Sequence, residues 1–253
     1  APRTLARIGV QAYGVRRELD RDLTGTLVAL HRMGYSDVEI NWHLGMTPSP
    51  ALKAALATSG LRASSAHVSA DAMSVGWQRH LDAASSMGLT QVVCPGFTPD
   101  ARQSLDDWRA WADFFNTAGL AAQRHGIRVA YHTEPDVYPM IDGKVPLDVF
   151  ADRLDPRYAR LQLDVGNTAM AGVDPAPLAE RYADRIWSFH LKDVPVMGRM
   201  GDTELGQGKV DLRRVLASMK DPQHTLVFVE QEDAKDPIAS ARRDYDYIAT
   251  LKY

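Results

Sequence analysis

The chain has 253 residues, a formal net charge of −3, 45% apolar and 24% charged residues, the proportions of a globular protein able to bury its own core. The near-neutral balance and the lack of a Lys/Arg block leave no footprint for nucleic acid, and no apolar run approaches the roughly 18 residues a membrane span needs. A single cysteine, Cys94, excludes an intrachain disulfide and a thiolate zinc site, and at the end of a β-like run it is expected to be a buried small apolar residue. The sequence begins Ala-Pro-Arg rather than Met, so a processed product is an expectation, cytoplasmic or exported to the periplasm.

In chain order, β-like runs occupy 7–13 (RIGVQAY), 37–42 (DVEINW), 61–68 (LRASSAHV), 90–97 (TQVVCPGF), 126–134 (GIRVAYHTE), 159–167 (ARLQLDVGN), 185–193 (RIWSFHLKD) and 225–233 (TLVFVEQED). Their spacing is about that of one strand-plus-helix unit. Amphipathic segments lie between them. Residues 22–34 place Leu23, Leu27, Leu30 and Met33 near one face and stop at Gly34. Residues 104–126 open on a Ser104 cap with acidic residues behind it and close on His125-Gly126. The alternation predicts a single (β/α)8 barrel over 1–253, with no composition shift to mark a second domain. An open doubly wound sheet would carry a Gly-rich phosphate loop after its first strand, and Gln11-Ala12-Tyr13-Gly14-Val15 is not one.

Barrel enzymes place working side chains at the carboxyl ends of strands. Here those ends read Glu39 and Asn41, His67, His132 and Glu134, Asp164 and Asn167, His190 and Lys192, and Glu230 and Glu232. Any one of these alone reads as a solvated strand end or a satisfied histidine; the succession does not. Carboxylates and imidazoles converging on one axis desolvate and repel one another unless a cation joins them. Histidine and carboxylate ligands without thiolate suit one divalent ion, Mn²⁺, Mg²⁺, Co²⁺, Fe²⁺ or Zn²⁺. With a period of two, His132 and Glu134 point to the same side and both can face the mouth.

These motifs together resemble the xylose isomerase-like TIM barrels, the sugar phosphate isomerase/epimerase group. IGVQAYGVRREL is similar to the family's first strand and turn, GYSDVEI to its second strand with a glutamate, and SAHVS to its third-strand His motif. GIRVAYHTEPD leading to IDGKVPLDVF resembles a fifth-strand stretch that reads Tyr-His-Asn-His in one subgroup. LQLDVGN, FHLKD, ELGQGKVDL and FVEQED match the sixth-strand aspartate, the seventh-strand His-x-Lys-Asp, the Gly-x-Gly loop and the eighth-strand glutamate. Carried over by position, the resemblance implies metal ligands Asp164, His190 and Glu230. Glu134 is the favoured fifth-strand ligand, with His132 as the alternative ligand or an acid/base. Asn167 stands where some relatives place a further histidine, which speaks against a multi-zinc nuclease site.

The resemblance further implies a metal-dependent isomerase or epimerase of a sugar or keto-polyol acting through an enediolate, with a lyase or dehydratase on a keto-sugar or 3-keto-glycoside as the alternative. Catalytic roles fall to Glu134, Glu230, His132 and Lys192. Substrate contacts fall to His67, Glu39, Trp42 and Glu232, with Phe97 a second aromatic that could stack on a sugar. For Lys192 the competing expectation is a lysine paired with Asp193 or Glu232, and for the two aromatics it is plain packing. Gly206-Gln207-Gly208 is expected to be a loop folding over the site, followed by a helix capped by Asp211. The partner is a small carbohydrate, with neither nucleic acid nor membrane, and the family's frequent dimers and tetramers extend the expectation of a homo-oligomer to this chain.

Overall fold

In a computed structural model, which describes residues 2–253, each of the eight β-like runs contains a strand. The strands are β1 Gly9–Gln11, β2 Asp37–Ile40, β3 Arg62–His67, β4 Gln91–Cys94, β5 Arg128–His132, β6 Ala159–Asp164, β7 Ile186–Leu191 and β8 Leu226–Val229. They are parallel and close in chain order into one barrel, sealed by the pairs Gly9–Phe228 and Val10–Val229 between β1 and β8. The fold is the expected (β/α)8 barrel. No helix among the described residues is long and apolar enough to cross a membrane.

Every strand is shorter than its run, because the ends of the runs turn out of the ladder. Ala12–Val15, Trp42–Leu44 and Pro135–Val137 turn into single 3₁₀ turns; Pro135 has no N–H with which to continue pairing. The end of the 159–167 run becomes the helix Val165–Met170, because Asp164 Oδ1 caps the Asn167 amide at 2.8 Å. Gly166 permits this turn: a Cβ there would lie 2.5 Å from the Lys192 side chain.

The helices form where capping and periodicity agree. Leu23–Met33 starts on the Asp22 carboxylate, which accepts from Gly25, buries Leu27, Leu30 and Met33, and stops at Gly34 in the left-handed region (φ 116°). Leu105–Gln123 opens with a reciprocal Ser104–Asp107 capping box. It buries Trp108 and Phe115 against Tyr131 of β5 and Phe150 of the helix Pro146–Arg153, with ring centroids 4.9–6.0 Å apart. Phe97 belongs to this cluster, stacked on Trp111 at 4.1 Å. Of the two readings of this residue, sugar stacking and plain packing, the structure shows packing: it is part of the core. Cys94 is fully buried, as expected.

Inside the barrel a polar layer runs across the strands. Gln11 pairs in register with Glu39, Glu39 with Ser65 and Ser65 with Gln91. Gln91 donates to Ser65 Oγ at 3.2 Å and to Ser188 Oγ at 2.8 Å, and Gln162 reaches Glu39 at 2.8 Å. This layer is the floor on which the mouth residues stand.

After β7 the chain makes a long excursion held from beneath by two aspartates. Asp193 Oδ2 accepts the amides of Gly206 and Gly208, both at 3.0 Å, while Oδ1 accepts those of Val194 and Val210. The Gly-x-Gly amides are thus committed to an internal carboxylate and make no phosphate cradle. Asp211 then caps the helix Leu212–Ala217, as expected. Asp244 of the helix Pro237–Thr250 accepts the Leu205 amide at 2.8 Å. Burial, aided by Glu204, pushes its carboxyl up to about 7. The unfolded carboxyl ionises near ~4. The stabilisation is therefore whole below that pH and is lost as pH rises toward the folded value. Asp244→Asn keeps an acceptor for Leu205 and removes this dependence. Its Tm relative to wild type should rise by a few degrees between pH 5 and pH 8, measured by calorimetry; an identical offset at both pH values would contradict the assignment.

Candidate metal centre

Inward-facing strand ends put Asp164 and His190 in direct register on neighbouring strands, with Lys192 just past the end of β7. Around them stand His67 from β3, His132 from β5 and Glu230 beyond β8. The ligand atoms of His132, Asp164, His190 and Glu230 all lie within 4.8 Å of one another, and all four residues are buried. His132 Nε2 is 3.4 Å from Asp164 Oδ2, His190 Nδ1 is 3.7 Å from the same oxygen, and His190 Nδ1 is 3.1 Å from Glu230 Oε2.

Two features bear on whether these residues fit an ion. Both His132 ring nitrogens and Asp164 Oδ2 are buried without a hydrogen-bond partner of good alignment, an expensive condition unless a ligand satisfies them. One ammonium, Lys192 Nζ, faces three carboxylates: Asp164 at 3.2 Å, Glu230 at 3.0 Å, and Glu232. The donor set and its excess negative charge therefore fit a divalent cation.

The electrostatics are strongly coupled. Burial opposes the charge on Asp164, but Lys192 and His132 outweigh it and hold the carboxyl well below the usual range. Glu230 sits at about 2 for the same reason, with Lys192 and His190 overcoming burial. Burial would lower His132, yet Glu134 and Asp164 push it up to about 9.

Several expected residues land in different roles. Glu134 stands outside the four-residue group, half-exposed, its Oε1 3.0 Å from His132 Nδ1 and its Oε2 accepting from Asn167 Nδ2 at 3.2 Å. The structure thus gathers His132, and not the favoured Glu134, with the other three. The reason is geometric: β5 ends at His132, so Glu134 lies one step higher on the rim.

Glu39 was expected to touch substrate, and this is corrected. It has no exposed surface, and both oxygens are committed: Oε1 to His190 Nε2 at 2.5 Å, to His67 Nε2 at 3.0 Å and to Gln11 at 2.8 Å, Oε2 to Ser65 at 2.6 Å and to Gln162 at 2.8 Å. Its sequence signal was ambiguous, but Gln11 at the end of β1 and Gln162 in the middle of β6 mark the buried network that receives it.

His67 Nε2 is also 2.9 Å from Gln162 Oε1, and its ring stacks on His190 at 5.3 Å. Lys192 is fully buried and pairs with Glu232, not Asp193; it also donates to Asn167 Oδ1 at 3.2 Å. Trp42 packs its ring against His80 at 5.4 Å. Glu39→Ala would leave His67, His190 and Gln162 without their common acceptor, and should cost about 3–5 kcal/mol in urea unfolding. A loss below ~1 kcal/mol would show that Glu39 does not organise the floor.

A family model described as xylose isomerase-like TIM barrel matches residues 27–251. Among curated proteins, an inosose dehydratase of Geobacillus kaustophilus is 32% identical over 93 residues, 37% of this chain and 30% of that protein. An inosose dehydratase of Salmonella agona is 25% identical over 179 residues, 61% of this chain and 58% of that protein. The chain thus spans less than two thirds of the length of either relative. A solved sugar phosphate isomerase/epimerase from Parabacteroides distasonis superposes with a TM-score of 0.81 at 22% identity, covering 95% of this chain and 92% of that one; at this identity the likeness is one of fold.

Proposed function

The chain belongs to the xylose isomerase-like TIM barrel family, and from that premise we propose that it is a divalent-metal-dependent enzyme that enolises a polyhydroxylated cyclic ketone and eliminates a β-oxygen substituent. The observation that carries this reading is the buried group His132, Asp164, His190 and Glu230, with orphaned donor atoms turned toward one another. Isomerisation ranked first on sequence resemblance and elimination second. The curated relatives, named inosose dehydratases, support the reverse order.

An ion held by these four residues would polarise the substrate carbonyl and favour loss of the neighbouring proton. The remaining work belongs to side chains at the rim. Glu134, oriented by Asn167 Nδ2 and half-exposed to the mouth, takes the proton from the carbon beside the carbonyl. The C–H electrons form the enolate. As the carbonyl re-forms, the β C–O bond breaks and the departing oxygen takes a proton from Glu232. Burial lifts Glu232 above the usual carboxylate range although Lys192 opposes it, which suits it to donate a proton. The product is an enone plus water or an aglycone alcohol, so atoms and charge balance. Lys192, bridging Asp164, Glu230 and Glu232, holds the acid side of the site against its neighbours.

Isomerisation or epimerisation would return the proton to carbon and leave every oxygen in place. Proton NMR in D₂O on a panel of keto-inositols, keto-sugars and 3-keto-glycosides separates the two. Elimination predicts a new vinylic resonance with release of water or alcohol, and a loss of roughly 10²–10⁴-fold in kcat for Glu134→Gln. Solvent deuterium incorporated at carbon with no vinylic product would replace elimination with isomerisation.

A further inference from the structure

Single apolar side chains are exposed on every protein, and only their placement is informative. Among the described residues six large apolar side chains are exposed. Five of them, Leu44, Val75, Met140, Val196 and Met200, stand on segments that follow β2, β3, β5 and β7. The sixth, Leu120, lies on the outer helix Leu105–Gln123. In a (β/α)8 barrel the segments after the strands form the working face. The charged centre is therefore surrounded by an apolar rim, which a substrate made only of hydroxyls and a carbonyl does not require.

One sector of this rim is a cleft of about 510 Å³, between the helix Arg16–Arg21, the start of Leu23–Met33 and the turn after β2. Leu19, Leu23, Leu44 and Met46 form its apolar walls. The turn is built to hold that shape. The Asn41 carbonyl accepts from the Leu44 and Met46 amides, both at 3.1 Å, and Gly45 between them takes a φ of 99°, which glycine adopts without strain. Arg16, also on the wall, ties the cleft to the proton donor of the elimination. Its Nη1 donates to Tyr13 O at 2.8 Å and to Glu232 O at 3.3 Å, with the guanidinium 4.0 Å from the Tyr13 ring centre. The cleft wall and the backbone of Glu232 are thus fixed to one another.

Resting on the elimination reading above, we propose that this cleft is the subsite of the leaving group, and that the substrate is a keto-glycoside with an apolar aglycone rather than a free keto-inositol. Glu134 takes the proton from the carbon beside the carbonyl, and the C–H electrons become the new C=C bond. The bond from the next carbon to the aglycone oxygen breaks, and that oxygen leaves with the proton of Glu232, giving an enone and an alcohol. A departing water would leave the cleft unused. An alcohol with a carbon body buries it against Leu19, Leu44 and Met46, and burial of an apolar group the size of a side chain favours binding by roughly 10- to 100-fold.

The test uses the full chain supplied with Mn²⁺, Co²⁺ or Zn²⁺ and a matched pair of substrates, methyl and hexyl 3-ketoglucoside, whose alcohols leave with similar ease. A keto-inositol that can lose only water is run beside them, and the enone is followed by its vinylic proton resonance. The hexyl substrate should exceed the methyl one in kcat/KM by about 10- to 100-fold, mainly through KM, and both should exceed the keto-inositol. Leu44→Ser, at an exposed position, should cut the hexyl-to-methyl ratio by about three- to tenfold. Met46→Ser should do the same and gives a second reading should Leu44→Ser disturb the turn. Equal kcat/KM for the two glycosides, a ratio that neither variant moves, or a preference for the keto-inositol would overturn the subsite while leaving elimination in place. A variant that changes the mass in light scattering and not the ratio would assign the rim to contact between copies of the chain, and overturn the subsite as well. No enone from any of the three substrates would overturn the elimination reading along with it.

Discussion

Asp164 ends β6 with no exposed surface; one of its oxygens caps the next helix, and the other faces His132 Nε2 at 3.4 Å, Lys192 Nζ at 3.2 Å and His190 Nδ1 at 3.7 Å. A carboxylate buried in this way is tolerable only if cations or strong donors surround it, because desolvation alone would expel it or protonate it. The mouth of the barrel is organised around that requirement. Lys192 lies across Gly166 to reach it, His190 is steered by Glu39 from below, and Asn167 ties the amide face of the same helix to Glu134.

The consequence is a site in two tiers. The lower tier, Glu39 with Gln11, Ser65 and Gln162, is closed and fully satisfied, so it fixes ring orientations and has no capacity left for substrate. The upper tier contains His132 and Asp164, which are buried yet incompletely partnered, and the half-exposed Glu134 and Glu232. On the proposed reading, the first pair serves the cation and the second the proton transfer. This division follows from strand register, because successive inward positions on one strand lie at successive heights in the barrel.

Much of this is legible in the sequence. Eight β-like runs, six of them with polar residues at their carboxyl ends, announce a barrel with a working face, because apolar strands must be covered and polar ends must have a use. The convergence of Asp164, His190 and Glu230 was readable because each stands at the carboxyl end of a β-like run. The choice between His132 and Glu134 was not, since alternation puts both on one side and only the point where β5 stops fixes their heights. Glu39 misled for the opposite reason: a glutamate at a strand end looks available, and only the facing Gln11 and Gln162 show it to be enclosed. Asp193 was invisible as an organiser, because its partners are the amides of Gly206 and Gly208, more than ten residues downstream.

The most direct measurement is the metal content of protein purified without chelator, set against Asp164→Ala and Glu230→Ala. The account predicts about one divalent ion per chain, as a single four-ligand site allows, lost from both variants while circular dichroism shows the barrel retained. Wild-type protein free of metal, and unchanged in Tm by added Zn²⁺, Co²⁺, Mn²⁺ or Mg²⁺, would contradict it, since an ion bound only by the folded state must raise stability.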